Sequence, residues 1–427
     1  MKKILIISPH FPPSNLTAVH RARFFANHLP EFGWEPVILT VHEKYYEEEL
    51  DQNLEKLLPP GLRVEKVKAR RVSHPRIIGD IGLRAFFPMF KKAREIIKKE
   101  KIDFVYITIP SFYGALWGRW LHKATGVKYG IDYIDPWVHA FPGSNKLFSR
   151  HWLATKVSRF LEPIAVKKAS LITGVAESYY YDVILRNPHL KDNCLFAAIP
   201  YGSEKSDHDA VKDMDLKPYL FDYKPGIIQM VYAGAMLPKA YQPLEEIFKA
   251  IQKNKTTLGQ FELHFIGTGK SANDPNGYNI KSLAEKYGLW QTVVFEYPKR
   301  IPYLDVLVHL NIADGVFILG STEAHYTPSK VYQAVLSEKP ILAVLHSEST
   351  GVKVIRESHC GIVLDFDGEK DIKKIGRDFN RILMEFIKMT KTFAPENIDH
   401  SGFENYSAKV ITYILSKKLD RIINKQD

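Results

Sequence analysis

The sequence predicts an α/β protein built from two parallel-sheet domains, and three observations lead to that prediction. Short apolar runs, such as residues 4–7 and 37–41, alternate with helical patterns such as residues 19–29. This alternation favours parallel sheets with helices on both faces. A chain of 427 residues is too long for one ordinary core. Several strands also run directly into glycine, as strands do at the ligand-binding edge of an open parallel sheet.

The elements follow in order along the chain. The first half contains β-prone runs, and a polar stretch rich in Asp, Lys, Pro and Ser follows them as the expected linker. The second half repeats the architecture and ends in a helix near residues 406–423. The predicted strands of the first half are residues 4–7, 37–41, 104–108, 171–173 and 196–199. The predicted divisions are a first domain at 1–204, a linker at 205–225, a second domain at 226–395 and a C-terminal segment at 396–427.

Three loops of the second half are candidates for binding an anion. One strand ends at Gly234, with Lys239 five residues further on, and a second ends in the turn from Gly267 to Gly269. The third loop precedes a helix, where Thr327 is the expected cap and Pro328 the first helical residue. The helix start from Ser329 onward and the charge of Lys330 would favour a phosphate. A plain capped surface helix is the alternative interpretation of this motif.

The order of these motifs resembles the donor-binding half of a GT-B glycosyltransferase, of the retaining family 4 type. The first half is similar too, through the strand and loop of residues 3–13, the Asp-Pro-Trp motif at Asp135 and the hinge at 199–202. The resemblance implies two Rossmann-like domains that face a cleft and a C-terminal helix that returns to the first domain. It also implies transfer of a sugar from a nucleotide-diphosphate donor to a saccharide or lipid-linked acceptor, in surface polysaccharide biosynthesis.

The resemblance also implies roles for individual residues. Electrostatic stabilisation of the leaving phosphate is expected from fixed positive charge, which Lys239 and Lys330 supply. Gln333 is expected to bind ribose hydroxyls. Asp135 and Asp132 are expected to orient or deprotonate an acceptor hydroxyl, although Asp135 also suits a turn before Pro136. The full expected donor set is Gly234, Lys239, Gly267, Gly269, Thr327, Ser329, Lys330 and Gln333, and the expected acceptor set is His10, Asn15, Thr17, Arg21 and Trp137.

The sequence departs from the family pattern at its charged positions. Ala235 replaces the phosphate-binding Arg, Ala240 replaces a glycine, and His325 and Gln333 replace both carboxylates. A second hypothesis follows, in which an impaired GT-B protein binds a nucleotide or protein partner without transfer. An epimerase or phosphorylase on the same fold is a weaker third option.

The net charge of the chain limits the classes of partner that we expect. The net charge of +11 suits nucleotide sugars and an anionic membrane surface, and basic residues lie among aromatic ones at 86–94 and 146–168. Both basic segments also fit amphipathic helices with a solvated face. No nucleic-acid partner is expected, because the sequence contains no recognised nucleic-acid-binding motif.

With two distant cysteines and no His-Glu-x-x-His pattern, we expect neither a disulfide framework nor a metal cofactor. The absence of a signal-peptide core predicts a cytoplasmic protein, peripheral on the membrane at most.

Overall fold

The computed structural model describes residues 1–72, 79–109, 111–138, 147–254, 260–271, 273–324 and 330–424. The chain divides into two compact units. The first comprises Met1–Tyr201 with Ala408–Asp427, and the second comprises Gly202–Ser407. The expected pair of parallel-sheet domains is confirmed.

The first unit is built on a seven-stranded parallel sheet with the strand order β3-β2-β1-β4-β5-β6-β7. Its strands are β1 (Lys2–Ile7), β2 (Trp34–Val41), β3 (Arg63–Val67), β4 (Phe104–Ile109), β5 (Lys128–Tyr133), β6 (Leu171–Gly174) and β7 (Leu195–Ala198). Its helices before the second unit are α1 (Thr17–His28), α2 (Ile81–Arg84), α3 (Phe86–Glu100), α4 (Ala115–Thr125), α5 (Arg150–Val166), α6 (Tyr181–Arg186) and α7 (Leu190–Asn193).

Both faces of this sheet are buried. Along β1, Leu5 and Ile7 belong to one apolar cluster, whereas Ile4 and Ile6 belong to another on the opposite face. Side chains of a strand alternate between faces, so two helical layers are needed to cover them. This explains why residues 4–7 of β1 are a continuous apolar run in the sequence.

The second unit is built on a six-stranded parallel sheet with the order β10-β9-β8-β11-β12-β13. Its strands are β8 (Ile228–Ala233), β9 (Phe261–Ile266), β10 (Val294–Tyr297), β11 (Gly315–Leu319), β12 (Ile341–His346) and β13 (Gly361–Phe366). Its helices are α8 (Lys205–Asp213), α9 (Tyr241–Lys253), α10 (Lys281–Lys286), α11 (Tyr303–Ile312), α12 (Lys330–Leu336), α13 (Thr350–Glu357), α14 (Lys373–Thr392) and α15 (His400–Glu404).

The segment expected to be a linker, residues 205–225, begins with α8. Val211 and His208 of this helix are buried. The Tyr303 hydroxyl at the start of α11 donates to Asp207 of α8 at 3.0 Å. Because the segment is mostly polar, its short amphipathic helix was not predicted from the sequence.

The last helix, α16 (Ala408–Asn424), belongs to the first unit. Ile411, Leu415 and Leu419 lie on one face and pack in the same apolar cluster as Phe24 and Phe25 of α1. The helix is also tied to the sheet by Asp420, which accepts hydrogen bonds from Lys2 at 2.8 Å and from the Trp34 indole at 3.1 Å. These contacts confirm the expected return of the C-terminal helix to the first domain.

Candidate functional site

Each sheet has one point where the strand order reverses, and open parallel sheets bind ligands at the carboxyl ends of the strands there. In the second unit this switch point lies between β8 and β11, which are hydrogen-bonded neighbours. Gly234 directly follows β8, and residues 320–323 follow β11. The loops predicted to bind the donor therefore start at the edge where the topology favours a ligand.

Lys330 is the most unusual residue at this edge. Its Nζ is buried, lies 3.7 Å from the centre of the Tyr232 ring, and has no hydrogen-bond partner among the described residues. Burial lowers the pKa of this ammonium to about 7. A buried cation without an anionic partner is costly, and cation–π attraction offsets only part of that cost. The arrangement therefore favours an anionic ligand that completes the site.

Gly234 makes room for this ammonium. A Cβ added at Gly234 would lie 2.9 Å from the Nζ of Lys330, and the backbone φ is +123°. The N–H of Gly234 donates to the Ile266 carbonyl at 2.8 Å, so it is occupied within the sheet. Because Gly234 has no side chain, the Nζ of Lys330 can lie beside its Cα.

We expect Gly234→Ala to weaken nucleotide binding about tenfold or more, because the new methyl group displaces the Lys330 ammonium by contact. Calorimetric titration with nucleoside diphosphates measures the effect. Gly226→Ala is a matched control, since Gly226 also has a left-handed φ of +82° but a Cβ there meets nothing within 4 Å. Equal losses in both variants would mean that backbone strain, and not contact with Lys330, is responsible.

Lys239 lies in a helical turn after Gly234 and forms an ion pair with Glu323, with 3.1 Å between Nζ and Oε1. Both side chains are partly exposed, at 51% and 35%. An exposed pair of this kind contributes little stability. Lys239 is therefore available to a stronger anion, in competition with Glu323. Sequence reasoning missed Glu323, although its place four residues after a buried strand was a usable signal.

Gln333 lies in α12, one turn after Lys330. Its Oε1 is 3.1 Å from Nε2 of His208, the buried histidine of α8. Burial, only partly offset by this hydrogen bond, lowers the pKa of His208. The neutral ring therefore donates to the Gln333 carbonyl and fixes the amide. His208 was missed because its segment was assigned to the linker.

The other donor-side predictions fall in two groups. Gly267 donates its N–H to Tyr297 at 2.8 Å, and Gly269 donates to Pro298 at 2.9 Å. Both N–H groups already donate hydrogen bonds within the protein. These glycines would therefore let a ligand approach the backbone closely, but they would not donate hydrogen bonds to it. Thr327 and Ser329 lie outside the described residues.

In the first unit, Arg21 and Asp132 form a fully buried ion pair. Nε of Arg21 donates to Oδ2 at 2.5 Å, and a second guanidinium nitrogen donates to Oδ1 at 2.9 Å. Thr173 donates to the same carboxylate at 2.6 Å, and the guanidinium also reaches the Pro200 carbonyl at 2.7 Å. Both side chains are inaccessible to solvent. The pair therefore joins α1 to β5 inside the first unit.

The Asp135–Trp137 turn follows β5. Asp135 is exposed, whereas Trp137 is 3% exposed and stacks on Phe112 with ring centres 6.4 Å apart. The Trp137 indole nitrogen has no partner in the described part of the chain. Asp135 is thus presented to solvent by a buried aromatic anchor.

The remaining acceptor-side predictions surround the loop after β1. His10 is 2.9 Å from Glu48, while Asn15 is buried and Thr17 is exposed at the start of α1. Burial alone would raise the pKa of Glu48, but hydrogen bonds from His10 and Ser14 and the charge of His10 lower it to about 2. Glu48, which was not predicted, therefore holds His10 in place as an ionised carboxylate.

Neither a metal centre nor a membrane-spanning helix is found among the described residues. They contain no group of three or more His, Cys, Asp or Glu side chains placed to hold a metal ion. Within the same part of the chain, no helix has the length and apolar character needed to cross a membrane.

Comparison with known proteins identifies the fold. No protein-family model and no curated protein sequence matches the chain. Among solved structures, the chain is similar to a glycosyltransferase from Rickettsia africae, with 15% identity, a TM-score of 0.59, and coverage of 100% of this chain and 99% of that one. It is also similar to Anabaena HepE in complex with UDP and glucose, with 13% identity, a TM-score of 0.62 and coverage of 99% and 100%.

A third similar structure is a sucrose-phosphate synthase from Thermosynechococcus elongatus, with 12% identity, a TM-score of 0.60 and full coverage of both chains. At such low identity the similarity shows a shared fold. The protein therefore has the GT-B fold, with two Rossmann-like parallel-sheet units.

Proposed function

We propose that this protein is a glycosyltransferase that moves a sugar from a nucleoside-diphosphate donor to a saccharide or lipid-linked acceptor. The buried ammonium of Lys330 carries the proposal, because it lies without a hydrogen-bond partner among the described residues at the switch point of the second sheet. A diphosphate supplies the missing negative charge. The complex of Anabaena HepE with UDP and glucose supports this ligand class.

The proposed chemistry is stabilisation of the leaving diphosphate as the sugar bond breaks. Negative charge develops on the phosphate, and fixed cations stabilise it without reorganisation. The Tyr232 ring positions Lys330. Lys239 also contacts the diphosphate once its ion pair with Glu323 is broken. We propose retention at the sugar carbon, a role in surface polysaccharide synthesis and no requirement for a metal, in keeping with the family 4 resemblance.

A nucleotide panel tests the first half of this proposal. One of uridine, guanosine or adenosine diphosphate should raise the melting temperature, since a ligand at ~100 times its dissociation constant stabilises by ~2.7 kcal/mol. Turnover of the matching nucleotide sugar, with the anomer of the product determined by NMR, tests the second half. Absence of a shift with all three diphosphates would contradict the donor site.

Binding without transfer is the second candidate function. Its support is Gln333, whose amide stands where the resembled family carries a carboxylate and is hydrogen-bonded to His208. Under this alternative the nucleotide stabilises the protein, yet no nucleotide sugar is consumed with any acceptor.

Asp135 is proposed to act on the acceptor. We expect Asp135→Asn to abolish transfer and to leave nucleotide affinity nearly unchanged, because Asp135 belongs to the first unit and Lys330 to the second. Steady-state kinetics and calorimetry on the same preparation separate the two effects. A large loss of nucleotide affinity would place Asp135 in the donor site, and full activity would reduce it to a turn residue before Pro136.

An anionic membrane surface is the proposed partner of helix α5. Leu153, Phe160 and Ile164 are exposed along this helix, at 58%, 71% and 39%, and the exposed Lys156 and Arg159 lie among them. The acidic residue of the helix, Glu162, is buried and paired with Arg186 at 2.8 Å. Apolar and basic side chains together suit an interfacial helix on anionic lipid. Lys146 of the predicted basic segment lies outside the described residues.

We expect Phe160→Ser to reduce binding to phosphatidylglycerol vesicles about tenfold, because the exposed ring loses its place among the lipid chains. The double change Lys156→Gln with Arg159→Gln should reduce binding about thirtyfold, at about 1 kcal/mol per charge. Sedimentation with the vesicles measures both. Tyr223→Ser is the matched control, since Tyr223 is 55% exposed in the second unit. Equal binding to neutral phosphatidylcholine vesicles would contradict the charge-based part of the proposal.

A further inference from the structure

The first unit contains a pocket of about 280 Å³ at its own switch point. The strand order of its sheet reverses between β1 and β4, which are hydrogen-bonded neighbours. His10 follows β1 and Ser111 follows β4, and both line the pocket. Its volume lies near the lower limit of small-molecule sites, so it suits a ligand of one or two sugar rings.

Arg84 lines this pocket and has one nitrogen that the described residues leave without a hydrogen-bond partner. The residue is 5% exposed and lines the pocket, yet its Nε has no partner among the residues that the structure describes. Its other nitrogens are used, by the Arg70 carbonyl at 3.2 Å and by Glu47 at 3.0 Å. A buried N–H without an acceptor costs free energy, which a ligand oxygen would recover.

Most of the charged side chains that line the pocket are acidic. Glu47, Glu48 and Asp80 line it together with one guanidinium, that of Arg84. Glu47 is paired with Arg84, and Glu48 with His10. Asp80 instead accepts from two neutral donors, the Ser111 hydroxyl at 2.7 Å and the Leu83 N–H at 2.8 Å. Among the residues that the structure describes, Asp80 forms no ion pair, so its carboxylate lines the pocket with only neutral donors beside it.

The local backbone is built to hold Asp80 there. Gly82 donates its N–H to the Ser111 hydroxyl at 3.1 Å, and a Cβ at Gly82 would lie 2.0 Å from that oxygen. Only glycine permits this approach of α2 to Ser111. Ser111 in turn donates to Asp80, so the carboxylate is fixed from two directions.

We infer that this pocket binds a neutral, hydroxyl-rich saccharide and selects it against anionic saccharides. Sugar hydroxyls donate to the carboxylates, and a sugar oxygen accepts from Nε of Arg84. A uronate or a phosphorylated sugar meets the charge of Asp80 and is repelled. That the bound saccharide is the acceptor of a transfer rests on the proposed function, whereas its binding does not.

The test is saturation-transfer NMR on the full-length protein with methyl glycosides of glucose, galactose and N-acetylglucosamine, and with methyl glucuronide and galacturonide. At least one neutral glycoside should bind about tenfold more tightly than its uronate. Asp80→Asn, which keeps the size and the cap of α2, should reduce that preference to nearly equal binding. Glu49→Gln removes an exposed charge next to Glu48 and should leave the preference unchanged.

Three outcomes would overturn the inference: no glycoside binds, uronates bind as well as neutral sugars, or Asp80→Asn keeps the full preference. Thermal shifts with uridine, guanosine and adenosine diphosphates on the same samples report on the second unit independently. A sugar preference without any nucleotide shift would contradict the proposed transferase while supporting this pocket, and the reverse result would contradict the pocket alone.

Discussion

Lys330→Met should stabilise the ligand-free protein and remove most of its affinity for nucleoside diphosphates. The methionine fills similar space over the Tyr232 ring without burying a charge. The lost charge-assisted contact is worth about 1.5–3 kcal/mol, which corresponds to a loss of ten- to more than a hundredfold in affinity. Calorimetry and thermal unfolding measure the two opposite effects. The control is Lys353→Met, at a lysine whose side chain is 68% exposed in α13.

The pH dependence of this comparison has a defined sign. Burial lowers the pKa of Lys330 from 10.5 to about 7, so between these values the unfolded chain binds a proton that the folded chain lacks. Wild-type stability should therefore rise with pH across this window relative to Lys330→Met, by up to about 1.4 kcal/mol per pH unit. Nucleotide affinity should fall above pH 7, because the ammonium must be protonated to hold an anion. A variant with wild-type affinity at every pH would exclude Lys330 from the site.

Asp132→Asn should destabilise the protein by about 3–5 kcal/mol, because it leaves the fully buried Arg21 guanidinium without its counter-charge. Chemical denaturation measures the loss. Adding Arg21→Met to Asp132→Asn should recover part of it, since the second change removes the unpaired charge, and the four proteins form a double-mutant cycle. Thr173→Val is a milder comparison that removes one hydrogen bond to the same carboxylate.

The same variants distinguish a structural from a catalytic role for Asp132. If Asp132→Asn kept wild-type stability but lost transfer, the residue would act on the acceptor as the sequence predicts. A loss of stability that the double variant recovers would instead establish the carboxylate as the partner of Arg21.

The order of strands and helices was predictable from the sequence because that information is local. Residues 4–7 of β1 and 341–345 of β12 are continuous apolar runs in the sequence, and the C-terminal helix was predicted at 406–423 and found at Ala408–Asn424. The helix α8 was not predicted, since its sequence is mostly polar and its apolar contacts come from elsewhere in the chain.

The residues of the candidate sites also form two groups, one identifiable from local sequence and one brought together only by the fold. Glycine after a strand and lysine at a helix start are local patterns, so Gly234 and Lys330 were identifiable from residue type and spacing alone. Only the folded chain places Lys330 over Tyr232, and brings Asp132 to Arg21 from 111 positions away. The free energy of a charge depends on its burial and on its neighbours, which long-range packing decides. Periodicity therefore determined the framework, whereas tertiary contacts decided which charges are paired and which are buried without a partner among the described residues.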